Sequence, residues 1–272
     1  MSGASRIEWT NTTWNPVTGC DRISPGCDHC YALVLAGRLK AMWQPKYQTD
    51  GRPPTSGPGF GVALHPDTLA APLGWRRPRL VFVNSMSDLF HARVPDTFIA
   101  SVFAVMHEAD QHTFQVLTKR PTRMARLLGS ERFEGQVVAE VMGWRQQHDG
   151  LALSWPARNV WLGTSIESDR YTWRADQLRG TPAAVRFLSL EPLLGPLPSL
   201  DLEGIDWVIV GGESGPDHRP VDPGWVRELR DRCLAAGVAF FFKQWGGRTP
   251  KAGGRLLDGR TWDQVPGQVM RA

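Results

Sequence analysis

No stretch of the 272-residue chain approaches the ~18–20 uninterrupted apolar positions that a membrane-spanning helix needs, so no membrane partner is expected. The opening MSGASRIEWT lacks the apolar core of a secretory signal, which places the protein in the cytoplasm as an expectation. Charge of one sign is never gathered into a block. The net charge of +4 permits a nucleic-acid partner without arguing for one. There is no fixed-period repeat and no low-complexity segment, and the 42% apolar and 21% charged fractions are those of a folded globular chain. Cysteine is scarce as well. Of the four, Cys20, Cys27 and Cys30 fall within eleven residues, and Cys233 stands far away.

What is present in quantity is tryptophan, 12 residues. Trp9, Trp14, Trp43, Trp75 and Trp245 lie near glycine, proline or the cysteines, where a ring could line a pocket, although each taken singly reads as a core or rim residue. Six short apolar, β-branched runs recur: 80–83, 114–117, 160–162, 185–188, 207–210 and 238–242. Their lack of clear alternation predicts strands buried on both faces, as in a parallel sheet. Helical spacing fills the gaps at 95–107, 121–128, 132–147, 169–178 and 222–236, the last stopping at Gly237. A first strand is expected near Arg6–Trp9. Strand and helix in alternation predict an α/β fold of βαβ units. One domain over 1–272 is expected, with 44–78 a Pro- and Gly-rich surface excursion. Residues 246–272 read as a C-terminal hairpin extension turning at Asp258-Gly259.

In a cytoplasmic protein a tight cysteine group reads as a metal or catalytic site before a disulfide. In TGCDRISPGCDHCYA the two-residue gap lets Cys27 and Cys30 face one ion or cluster, and Ser24-Pro25-Gly26 lets the longer loop return Cys20 to them. Three thiolates on a four-iron cluster leave one iron open to a ligand. The alternatives are a zinc site and a chance grouping. Closed zinc sites want four ligands, usually in two close pairs, and the second pair is missing. Cys233 reads as a buried core thiol.

In β/α barrels the working residues stand at the C-terminal ends of the strands. Those ends carry Asn84, Ser85, Ser87 and Asp88; Thr118, Lys119 and Arg120; Thr164, Ser165 and Glu167; Ser189 and Glu191; Gly211, Gly212, Glu213 and Ser214; and Lys243 and Gln244. Converging on one rim, they could hold a polar cofactor bearing both an amino and a carboxylate group. Glu191, Glu213 and Lys243 are the expected catalytic groups. Asn84, Ser87, Asp88, Thr164, Ser165, Glu167, Ser189, Gly211, Gly212 and Ser214 are the expected cofactor contacts. The paired glycines leave a bare backbone edge that a ligand can approach.

GCDRISPGCDHCYA, SLEPLLG, VIVGGESG, FKQWGG and LDGRTWDQVP together resemble the phage Gp37/Gp68-like proteins, a family also known by a domain-of-unknown-function label, over about Trp9 to Pro266. That family is similar to a divergent radical S-adenosylmethionine group. The resemblance implies a partial TIM-like (β/α) barrel with the cysteine loop after the first strand, and a [4Fe-4S] cluster on Cys20, Cys27 and Cys30. It further implies S-adenosylmethionine on the open iron, cleaved after reduction by an electron donor to give a 5′-deoxyadenosyl radical. The first gap is six residues where the common radical pattern has three, and Asn84–Asp88 occupies the early position of the usual Gly-Gly-Glu turn. A different class of function is a nucleic-acid-binding or DNA-lesion-repair protein, suggested by Arg76-Arg77-Pro78-Arg79, the basic stretch Lys119–Arg126 and the tryptophans. A third is a zinc-stabilised interaction module.

Overall fold

The structure, a computed structural model, describes residue 5 and residues 7–144 and 154–267. In chain order the strands are β1 (Thr12–Trp14), β2 (Val17–Thr18), β3 (Ala63–Leu64), β4 (Leu80–Val83), β5 (Thr113–Thr118), β6 (Val160–Ser165), β7 (Val185–Leu190), β8 (Trp207–Gly211) and β9 (Ala239–Gln244). The helices are α1 (Tyr31–Ala41), α2 (Asp96–Glu108), α3 (Pro121–Leu128), α4 (Glu131–Trp144), α5 (Trp173–Arg179) and α6 (Pro223–Ala235). Seven strands form one sheet in the order β1-β4-β5-β6-β7-β8-β9, every neighbouring pair parallel. The sheet curls into half a barrel, so the fold is α/β, a partial TIM-like barrel with the cysteine loop after its first strand.

The two faces of the sheet separate by side-chain alternation. Val81, Phe114, Val116, Leu162, Leu188, Val208, Phe240 and Phe242 pack outward with α2, α4, α5 and α6 in the main core. The intervening positions Phe82, Phe187, Trp207, Ile209 and Phe241, joined by Trp9 from ahead of β1, form an aromatic plug, with Trp161 against it. Gly163 is part of that design, because a Cβ there would stand 2.5 Å from the Phe187 ring. Above the plug the strand ends turn polar.

The six apolar runs all became strands. The first strand is a correction: it lies at Thr12–Trp14, paired with Val81–Val83, not at Arg6–Trp9. Arg6 lies outside the described residues, and the Trp9 ring enters the plug instead, 4.7 Å from Phe82. Of the helix expected over 132–147, residues 145–147 also lie outside. The helix expected from Asp169 starts later, after a 3-10 turn at Asp169–Tyr171.

Within 44–78, β3 pairs with β2, and Phe60 is buried against α1. The C-terminal segment turns at Asp258 (φ 53°) and Gly259 (φ 80°) and runs back beside β9. None of the described helices is long and apolar enough to cross a membrane.

Candidate metal centre

The cysteine loop is laid across the C-terminal mouth of the half-barrel by the exits of β1 and β4. Asn84, in the left-handed region at φ 60°, donates its N–H to Trp14 O at 2.8 Å and accepts from Val17 N–H on Oδ1 at 3.3 Å. Ser87 Oγ donates to Val17 O, and Gly19 N–H donates to Met86 O, both at 2.9 Å. Gly19 must be glycine, since at φ 84° a Cβ would stand 2.1 Å from Gly61 O. Cys27 ends a 3-10 turn over Pro25–Cys27, and Cys30 is the N-cap of α1. Cys27 is close enough to Cys20 and Cys30 for its charge to act on both.

Arginine holds the loop at each end. Arg120 Nη1 donates to Asp88 Oδ2 at 2.8 Å and to Cys20 Sγ at 3.4 Å, and Nη2 donates to Asp21 O at 3.1 Å. Asp88 is itself saturated, accepting from Thr118 Oγ1 at 2.7 Å and from the N–H groups of Phe90 and Lys119. Burial, with Asp88 adding to it, pushes the Cys20 thiol up to about 12 against the pull of Arg120. Burial also raises the Cys30 thiol. Asp21 is held well below the carboxylate range: burial opposes this, but Thr55, His91, Arg93 and Ser56 all donate to it.

At the other end Arg219 donates to both oxygens of Glu213, and its Nη2 reaches Pro25 O at 2.9 Å. His29 sits on Glu213 Oε2 at 3.0 Å through Nδ1, which therefore carries the proton. Burial alone would raise the Glu213 carboxyl; donation from Arg219 and His29 outweighs it and brings it down to about 2.

Between these anchors two lysine–carboxylate pairs stand in the mouth. Lys243 Nζ lies 2.9 Å from Glu191 Oε1, and Ser189 Oγ donates to Glu191 Oε2 at 3.2 Å. The Glu191 carboxyl crosses Gly211, where a Cβ would stand 2.6 Å from Oε1. Gly212 is equally constrained, a Cβ there standing 2.0 Å from Trp245 O. Glu167, fully buried beneath Gly26 of the cysteine loop, accepts from Arg174 Nη1 at 3.0 Å and lies 3.9 Å from Lys119 Nζ. Its Oε1 has no partner among the described residues. Arg174 also binds Ser165 O at 2.8 Å and stacks on Tyr171. Thr164 Oγ1 donates to Thr118 O, and Ser214 Oγ accepts from Gln244. Thus Asn84, Ser87, Asp88, Thr164 and Ser214 spend polar atoms on the scaffold, Glu167 is buried against Arg174, and Glu191 and Lys243 pair with each other in the mouth.

The donor set fits a sulfur-ligated cluster. Three thiols share one loop, and one of them receives an N–H···S bond from Arg120. Among the described residues no three His, Cys, Asp or Glu side chains converge on a metal-ion site. Cys233 is fully buried in α6, away from the loop, as expected. Sequence reasoning missed Arg174, Arg219 and Asp21. Arg219 follows Glu213 by six residues, and only the folded turn brings it back.

No curated protein matches this chain. A solved structure of spore photoproduct lyase complexed with dinucleoside spore photoproduct is similar at 11% identity and a TM-score of 0.45, covering 78% of this chain and 58% of that one. The chain therefore spans under two thirds of that protein's length. The family model described as a protein of unknown function (DUF5131) matches residues 4–266, nearly the whole sequence, and the chain belongs to that family.

Proposed function

We propose that this chain is a [4Fe-4S] protein of radical S-adenosylmethionine type, the reading carried by its likeness to the phage Gp37/Gp68-like proteins. The observation that supports it most is the cysteine loop: three thiols laid over the mouth of a parallel half-barrel and tied down by an arginine at each end. Cys20, Cys27 and Cys30 would hold the cluster. Once bound it would supply the one electron that cleaves S-adenosylmethionine into methionine and a carbon radical for hydrogen abstraction.

The chain's own residues do the rest. Arg120 donates to the sulfur of Cys20 and offsets charge that would otherwise accumulate on a buried thiolate. Glu213 and Arg219 fix the Pro25–His29 arc, and with it the direction of Cys27. Lys119 with Glu167, and Lys243 with Glu191, offer an ammonium beside a carboxylate, the complement of an α-amino acid group. The aromatic plug closes the floor and keeps water from entering below. The scaffold bonds of Asn84, Ser87, Asp88 and Thr164 set where those groups stand; Ser165, Ser189, Gly211, Gly212 and Ser214 shape the rim.

The basic stretches give a nucleic-acid substrate no support. Lys119, Arg120 and Arg123 face Glu167, Asp88 and Asp96, and Arg76–Arg79 precedes β4, at the end of the sheet opposite the mouth.

The test is anaerobic purification with iron, sulfide and zinc analysis of wild type and Cys27→Ala, then an assay for 5′-deoxyadenosine after reduction with dithionite. About four irons and four sulfides per chain, lost in the variant, with 5′-deoxyadenosine formed only by the wild type, supports the proposal. One zinc and no iron, or a loaded cluster that never yields the nucleoside, sinks it.

A further inference from the structure

Lys119 and Arg120 are consecutive residues that leave the end of β5 for different places. Both are tied to one carboxylate oxygen: Asp88 Oδ2 accepts the Lys119 N–H at 3.1 Å and Arg120 Nη1 at 2.8 Å. From there Arg120 reaches Cys20 Sγ at 3.4 Å. Lys119 goes instead to Glu167, its Nζ standing 3.9 Å from Oε2. Glu167 supports the cysteine loop directly, since a Cβ on Gly26 would stand 3.2 Å from the Glu167 Cβ and 3.3 Å from its Cδ. Two adjacent cations thus address the loop, one at Cys20 and one at the carboxylate beneath Gly26.

Glu167 does not need Lys119 to neutralise it. Arg174 Nη1 already donates to Glu167 Oε2 at 3.0 Å, whereas 3.9 Å is beyond hydrogen-bond length. Asp88 and Glu213 have arginines of their own, Arg120 at 2.8 Å and Arg219 at 2.9 Å, and Lys243 is paired with Glu191. The charge of Lys119 is therefore left over for the cysteines.

That charge is felt at Cys30. Burial raises the Cys30 thiol, and Lys119 pulls against it. The lysine side chain is only 16% exposed, so solvent ions screen it less than they would a surface charge. Reduction adds an electron to a centre that already carries three thiolates, and nearby charge sets how readily that happens.

We infer that Lys119 is a positioning residue whose ammonium sets the field at Cys30 and holds the reduction potential of the centre up, while Glu167 beneath the loop holds it down. This rests on the cluster proposed above, and it gives the pair a task that precedes any ligand in the mouth. The electron comes from an external one-electron reductant, which is oxidised by one electron as the cluster is reduced by one.

The test is a mediated redox titration of cluster-loaded protein, read by absorption and by electron paramagnetic resonance of the reduced centre. At the wild-type midpoint, Lys119→Met should lower the ratio of reduced to oxidised centre about ten-fold, a downward shift of about 59 mV for a one-electron couple. Glu167→Gln should shift the midpoint upward, and a role in packing alone would not give opposite signs. Lys119→Arg keeps the charge, and Arg126→Gln removes one from an exposed position of α3; both should titrate as wild type. A wild-type midpoint in Lys119→Met overturns the inference. So does a downward shift in Glu167→Gln or Lys119→Arg, or an equal shift in Arg126→Gln. A second readout needs no cluster, so a variant that fails to load does not hide the result. In cluster-free protein carrying Cys20→Ser and Cys27→Ser, Cys30 is the accessible thiol, because Cys233 is buried. Its rate with dianionic dithiobisnitrobenzoate, divided by its rate with neutral dithiodipyridine, should fall about ten-fold on Lys119→Met and not on Lys119→Arg. An unchanged ratio overturns the inference as well. Wild type that takes up no iron counts against the cluster proposal, and the reagent ratio alone then decides what Lys119 does at Cys30.

Discussion

Single side chains in the mouth are held by opposed forces, and two of them give direct predictions. Glu213 is nearly buried, yet its carboxyl lies near 2, against 4.5 for a free side chain. The folded form thus holds its proton less tightly than the unfolded one. Its contribution is complete above the unfolded value and is lost as pH falls from there toward the folded one. Glu213→Gln should therefore lower stability at neutral pH by on the order of 2 kcal/mol and remove that part of the acid limb. Urea unfolding at a series of pH values reads both effects, and an unchanged acid limb would show that the Arg219 and His29 contacts do not govern the group. Gly163→Ala tests the plug. Its Cβ meets the Phe187 ring at 2.5 Å, and an aromatic ring wedged among Trp9 and Trp207 has little room to yield. Overpacking of this kind costs about 1–3 kcal/mol. Thermal unfolding should show it, and a wild-type melting temperature would mean that the ring moves freely.

At the scale of elements, what the sequence disclosed follows from how each element is buried. Strands β4 to β9 are covered on both faces, so they appear as apolar runs whatever their loops do. β1 is three residues long and two of them are threonine, so it left no such run and was expected several residues early. The cysteine loop was legible because thiols are rare and their spacing is local. Its anchors were not, because Arg120 and Arg219 reach it across about 100 and 190 positions of chain. Helix α6, expected over 222–236 with its stop at Gly237, runs Pro223–Ala235: Asp222 caps it by accepting from Gly224 N–H at 2.6 Å, and Gly237 lies just past the end at φ 66°. Asp222→Ala should destabilise by about 1 kcal/mol through the lost cap. It should leave iron content unchanged, since α6 touches the loop nowhere among the contacts described. A fall in iron content would connect this helix to the centre in a way its packing does not suggest.

The whole molecule is a barrel left half open, and an open parallel sheet must deal with two edges. The edge at β9 is covered by the chain's own C-terminal segment. Phe242 N–H donates to Trp262 O and Phe240 N–H to Gln264 Oε1, both at 2.9 Å, while Phe241 bridges Asp263 antiparallel. Trp262 packs on Phe240 from outside, and Trp207 Nε1, from the plug, donates to Gln264 O at 2.8 Å. One short segment thus satisfies the edge of the sheet and a buried donor of its inner core. A chain ending at Arg255 would present Phe240 and Phe242 N–H groups to solvent beside four successive apolar residues of β9, the arrangement that recruits another strand. It should aggregate during concentration, with size-exclusion profiles shifting to large species, while the intact chain elutes at its own mass or as a defined oligomer. Charged substitutions at Thr261, an exposed position of the same segment, keep the segment and should not have this effect. If they aggregate as readily as the truncated chain, surface charge and not edge protection governs solubility. If only the truncation aggregates, the C-terminal segment is the missing wall of the barrel at β9.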